Sequence, residues 1–124
     1  QISYMSAEEH YRHIAYVAYL SHISSFALST TVLEKEKDER SIFEMAGSGF
    51  SSTVRLAKSS AEMWSPIVTQ NTRNISEALD AYIKNLQAFK KIVDEQDESE
   101  SRRLIENAND IKRILSGIEK EVTR

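Results

Sequence analysis

An all-α fold is what this chain of 124 residues predicts, and three observations carry that reading. One proline and three glycines in the whole length are too few of the residues that punctuate strands and turns. Apolar residues recur at i, i+3, i+4 and i+7 through long windows, the spacing of a single helix face. Capping boxes stand where helices should begin, at Ser6 to Glu9, Ser41 to Glu44 and Ser59 to Glu62. In such a box the serine oxygen and the glutamate each satisfy an orphan backbone N–H.

The first helix is expected from about residue 7 into the low thirties. Ile14, Val17, Leu20, Phe26 and Leu28, joined by Ala15, Ala18 and Ala27, put apolar groups nearly all round it, the pattern of a central, buried helix. The mixed charges from Glu34 to Arg40 read as a solvated helix end or connector. The second box opens a short helix that stops at Gly47, and residues 52–58 make another. The third opens the longest periodic segment, with Trp64, Ile67, Val68, Ile75, Ala78, Leu79, Tyr82, Ile83, Leu86, Phe89, Ile92 and Val93 on one stripe.

That segment predicts a helix over residues 61–95, on the order of 45 Å long, which Pro66 kinks near its start without ending. A helix of that length outreaches a compact domain of this size, so part of it should pack against a second chain. Residues 96–100 break the pattern. The last helix, about 99–121, aligns Leu104, Ile105, Ala108, Ile111, Leu115 and Ile118 and folds back antiparallel across a short connection. The predicted architecture is a helical bundle in one domain, residues 1–124. It has a buried first helix, two short helices and a long antiparallel helical hairpin, and it dimerises.

Composition narrows the function. Sixteen basic and nineteen acidic residues give a net charge of −3 without a basic stripe, so nucleic acid is not an expected partner. No apolar run is long enough to span a membrane. Without cysteine there is neither a disulfide framework nor a thiolate metal site, and three histidines without clustered carboxylates make a poor metal site. No signal-peptide pattern opens the chain, so a cytoplasmic location is expected. The start at Gln1-Ile2-Ser3 reads as the cut edge of something longer. No GxGxxG follows a strand and no nucleophile elbow is present, so neither a dinucleotide site nor a catalytic serine is expected in this segment.

The polar residues set among apolar ones are the candidates for function. Ser21-His22 interrupts the most apolar stretch. A histidine there is either a hydrogen-bonded core group or a ligand to a substrate hydroxyl or carbonyl. His13 lies nine residues earlier, about 900° round an α-helix, and so faces away from His22. Arg55 follows the glycines of Gly47-Ser48-Gly49. It suits either a helix C-terminus or a carboxylate gripped through two parallel bonds. Met63-Trp64 reads, by pattern alone, as plain core.

Taken in order, these elements resemble the C-terminal helical domain of prephenate dehydrogenase, the oxidoreductase of tyrosine biosynthesis. His13, Ser21, His22 and Ser25 stand at the spacing of a His-x7-Ser-His-Leu-Pro-His signature. Gly49-Phe50 leads to Arg55-Leu56-Ala57 as in a Gly-Phe-x-x-x-x-Arg-Ile-Ala element. Glu62-Met63-Trp64 and then Asn71 match the start of the long helix. The likeness runs from about residue 6 to 120. Three positions depart: Ser24 and Ser25 replace the proline and second histidine, and Ser51 replaces an arginine often found after the Gly-Phe pair.

The resemblance implies an enzyme that converts prephenate to 4-hydroxyphenylpyruvate and carbon dioxide with NAD or NADP as hydride acceptor. The nucleotide-binding Rossmann domain and the main catalytic residues would lie upstream in the same polypeptide. This segment alone would bind no cofactor and be inactive. It would supply a homodimer interface and close the cleft on a prephenate-like dicarboxylate, with arogenate the competing substrate. The substrate-binding residues implied are Arg55 and His22, with Ser21 and Trp64 in the pocket wall. Two other readings compete: a standalone helical interaction module, and a helical chorismate mutase, which would need several converging cationic side chains.

Overall fold

The computed structural model describes residues 5–123, with side chains as far as Gly117. Gln1 to Ser3 and the side chain of Ile118 lie outside the described residues. Every regular element among the described residues is helical, as the sparse glycine and proline predict. In order they are α1 (Ala7–Ile14), a π-turn (Ala15–Tyr19), α2 (Leu20–Lys35), α3 (Glu39–Met45), α4 (Ser48–Thr53), a 3-10 turn (Arg55–Lys58), α5 (Ala61–Gln70), α6 (Thr72–Glu95) and α7 (Glu98–Thr123). The chain divides into two compact units at Ala81 and Tyr82, a boundary that α6 runs through.

In the first unit the core is small. Ala15, Ile75 and Ala78 are buried, with Tyr19, Ile23 and Leu79 packed against them. Two of the three buried residues are alanines, so the cluster fills little volume. Ser6 caps α1 as predicted, its hydroxyl accepting from the Glu9 N–H at 3.1 Å. The helix carrying α1 and α2 buries Ala15 and Ser25, yet Val17 is 77% exposed and Leu33 63%. Its burial within the single chain is one-sided, which leaves apolar surface for a partner.

The π-turn is invisible in the sequence pattern. Leu20 donates its N–H to the Ala15 carbonyl, five residues back rather than four, so one extra residue is wound into the helix. His13 and His22 are therefore separated by the equivalent of about eight α-helical steps, near 800° rather than 900°. They lie about 80° apart on the helix, and the expectation that they face opposite ways is corrected.

Local caps moved other boundaries. Asp38, not Ser41, caps α3: its carboxylate accepts from the Arg40 N–H at 3.1 Å and from the Ser41 hydroxyl at 2.9 Å. Aspartate is a strong N-cap, and placing it there lets Glu39 and Arg40 join the helix. The short helix stops just before Gly47, as predicted, and Gly47 in an extended conformation also caps the start of α4. The expected helix over 52–58 is instead the end of α4 followed by the 3-10 turn. Ser60, one residue after the predicted Ser59, caps α5.

The long helix expected from 61 to 95 is two helices broken at Asn71. Pro66 sits inside α5 without ending it. The break comes where Asn71 leaves helical geometry and accepts a side-chain hydrogen bond from Asn74 at 3.1 Å. Asparagine competes in this way with the backbone ladder. Apolar periodicity continues across the break, so the pattern alone conceals it.

In the second unit, the stretch of α6 from Tyr82 and the helix α7 form the expected hairpin. Gln96 takes a left-handed φ of 53°. The Asp97 N–H then reaches the Ile92 carbonyl at 3.1 Å and the Gln96 N–H the Val93 carbonyl at 3.2 Å. Two orphan carbonyls are thus satisfied in a Schellman closure. Asp97 in turn caps α7 through the Glu100 N–H at 3.0 Å. Ile92 is buried, but Leu86, Phe89 and Val93 on α6, and Ile111 and Leu115 on α7, are exposed.

Candidate functional site

The site is assembled on α2 and α5. His22 lies flat on Trp64, ring centroids 3.7 Å apart and planes 19° from parallel. Tyr19, one turn earlier, meets the same indole edge-on at 5.8 Å. Phe26, one turn later, lies 6.4 Å from the imidazole. Residues 19, 22 and 26 share one helix face, so a single side of α2 receives the indole. Trp64 is only 9% exposed, whereas its neighbour Met63 is 62% exposed. The Met63-Trp64 pair therefore divides, one residue to the core and the other to the surface.

The imidazole is oriented from behind. His22 Nδ1 lies 3.2 Å from the Ala18 carbonyl oxygen. A carbonyl only accepts, so Nδ1 carries the proton and Nε2 remains as the ring's other polar atom. The Ser21 hydroxyl donates to the Val17 carbonyl at 2.9 Å. Both acceptors belong to the π-turn, whose widened geometry lets side chains reach its carbonyls. Ser21 and His22 thus stabilise the irregular turn that aims them.

Arg55 opens the 3-10 turn that packs against α2. Its side chain is exposed and makes no ion pair or hydrogen bond among the described residues. The segment is tied down just upstream: the Ser25 hydroxyl donates to the Thr53 carbonyl at 2.5 Å. Ser25 is 2% exposed, the one buried polar residue among the described residues. Beside the stack lies a cleft of about 410 Å³ lined by Phe26, Ala57, Trp64 and Val68, with Ser59, Ser65 and Thr69 as hydroxyls. A second hollow of about 320 Å³ is lined by Tyr11, Tyr19, Ile67, Gln70 and Asn71. The Asn71 Nδ2 is buried without a hydrogen-bond partner among the described residues.

Of the four residues singled out by sequence, the fold brings His22 and Trp64 into contact. It sets Ser21 beside His22 with its hydroxyl turned back to the helix, and places Arg55 on the element that supplies Ala57 to the cleft. Tyr19, Ser25 and Phe26 were not singled out as site residues. Their spacing from His22, at i−3, i+3 and i+4, was the available signal.

A family model described as "Prephenate dehydrogenase, dimerization domain" matches residues 6–109. The chain belongs to this family. Among curated relatives of the prephenate dehydrogenase family, a cyclohexadienyl dehydrogenase of Zymomonas mobilis subsp. mobilis is 29% identical over 98 residues, covering 78% of this chain and 33% of that protein. A prephenate dehydrogenase of Bacillus subtilis is 26% identical over 108 residues, covering 87% of this chain and 29% of that protein. The chain thus spans about a third of the length of the curated relatives it matches.

The fold agrees with solved structures. An arogenate dehydrogenase of Synechocystis superposes with a TM-score of 0.85 at 24% identity, over 93% of this chain and 42% of that one. A prephenate dehydrogenase from A. aeolicus, solved in complex with hydroxyphenyl propionate and NAD+, gives 0.77 at 30% identity over 95% and 40%. No helix among the described residues is long and apolar enough to cross a membrane.

Proposed function

We propose that this chain is the C-terminal dimerisation and substrate-cleft domain of a prephenate dehydrogenase. The whole enzyme would convert prephenate and NAD(P)⁺ to 4-hydroxyphenylpyruvate, carbon dioxide and NAD(P)H in tyrosine biosynthesis. The share of each relative that the chain covers supports a longer polypeptide, in which we place a Rossmann domain N-terminal to this segment. The nicotinamide held there supplies the hydride acceptor. The residues of this chain bind and orient the substrate.

The observation that carries the site reading is the stack of His22 on Trp64 at the edge of an apolar cleft. The indole and Phe26 give a cyclic, weakly polar ring an apolar wall that excludes water. His22, held by Ala18 through Nδ1, offers Nε2 to the ring hydroxyl. Arg55, uncommitted among the described residues, pairs with a substrate carboxylate, a role its planar fork suits. Ser21 is a positioning group that holds the helix beneath His22. A second copy of the chain covers the apolar stripes left exposed on α6 and α7.

The test is Arg55→Ala in the full-length enzyme. Loss of a charged contact should raise KM for prephenate on the order of 30-fold with kcat changed far less. Unchanged KM would remove Arg55 from the site.

A further inference from the structure

Ser25 is the buried polar residue that the substrate contacts above leave without a task. Its hydroxyl donates to the Thr53 carbonyl at 2.5 Å. Thr53 is the last residue of α4, so its carbonyl is one of the orphan acceptors at a helix C-terminus. The bond links positions far apart in sequence and crosses from α2 to α4. Thr53 is itself held, its hydroxyl donating to the Gly49 carbonyl at 2.8 Å. Two residues beyond Thr53 the chain enters the 3-10 turn at Arg55. One turn before Ser25, on the same helix, is His22.

The hydrogen bond therefore joins the element bearing His22 to the element bearing Arg55. We propose that Ser25 is a positioning residue for Arg55. By clamping the end of α4 to α2 it fixes how far the guanidinium stands from the imidazole. The inference rests on the ligand role given to Arg55 above. A flexible arginine on an exposed turn would otherwise lose much of its binding contribution to the entropy of being ordered. A short bond from a 2% exposed hydroxyl keeps the backbone beneath it in place before ligand arrives.

The test uses the full-length enzyme with steady-state kinetics and thermal unfolding on Ser25→Ala, Ser25→Cys, Arg55→Ala and the Arg55→Ala/Ser25→Ala double variant. Ser25→Ala should raise KM for prephenate about tenfold with kcat within about twofold, the signature of lost positioning. Ser25→Cys keeps the volume with a weak donor and should move KM in the same direction by less. If Ser25→Ala folds poorly, the Cys variant carries the comparison. In the Arg55→Ala background Ser25→Ala should change KM by less than about twofold, because residues that act through one another are not additive.

A KM unchanged by both Ser25 variants while Arg55→Ala raises it overturns the proposal and spares the site reading. So does a Ser25 effect that multiplies in full with that of Arg55→Ala, which would mark a general structural role. An unchanged KM in Arg55→Ala alone overturns both.

Discussion

The imidazole of His22 rests on the indole of Trp64 at 3.7 Å while its Nδ1 is engaged by the Ala18 carbonyl at 3.2 Å. The ring is thus held on a face and on an edge, and only Nε2 is left to meet a ligand. Asparagine at this position can keep the donor that Nδ1 provides but has nothing in place of Nε2. In the whole enzyme His22→Asn should therefore raise KM for prephenate about tenfold, with Tm lowered by only a few degrees. An equal loss of stability and affinity would assign His22 to the core alone.

Leu86, Phe89 and Val93 fall at i, i+3 and i+7 on α6 and are all exposed, Val93 at 71%. A stripe of that kind is a helix face awaiting a partner. Phe89→Asp should shift the protein from dimer to monomer in sedimentation velocity at micromolar concentration. A variant that remains dimeric would place the interface elsewhere.

Gln96 stands at the left-handed position that closes α6, where a side chain costs about 1 kcal/mol that glycine does not. Gln96→Gly should raise the unfolding free energy by up to about 1 kcal/mol, read as a higher denaturant midpoint with an unchanged slope. A fall in the midpoint would mean that the flexibility added to the unfolded chain outweighs the relief.

Asp38 caps α3 with its carboxyl held below its ordinary value, first by the hydrogen bond from Ser41 and then by the backbone N–H of Arg40. A carboxyl whose folded pKa is depressed contributes stability above its unfolded pKa. That contribution is lost as pH falls through the folded value. The cap of α3 should therefore weaken only on the acid side of the usual carboxylate range. An NMR titration of the Asp38 carboxyl should show a midpoint below that of an unfolded peptide. Asp38→Asn should abolish this pH dependence, and a normal midpoint would contradict the cap.

The helices themselves were legible because their signals are local: apolar spacing, capping serines and scarce glycine. What stayed hidden was decided by competition between neighbours. Asp38 displaced Ser41 as a cap because it binds two donors at once. Asn71 broke a helix whose apolar stripe runs on without interruption. An apolar surface nearly all round the first helix offers no phase marker, so the π-turn could not be read. At the site, composition picked out His22 and Arg55 as polar exceptions, and the family resemblance added Trp64. The stacking of residues 22 and 64 is tertiary, and neither periodicity nor spacing encodes it. Ser25 was legible only as the place of a missing histidine, although it is what ties two of the elements together.

The five residues from Ala15 to Tyr19 act as an indexing joint within one rod. Rewinding them as ordinary α-helix, at unchanged length, would swing everything before them by about 100° against His22. The order of apolar residues after it would be untouched. As wound, Tyr11 and His13 lie about 80° to either side of the imidazole, whereas ordinary winding would bring Tyr11 to within about 20° of it and turn His13 to the opposite side.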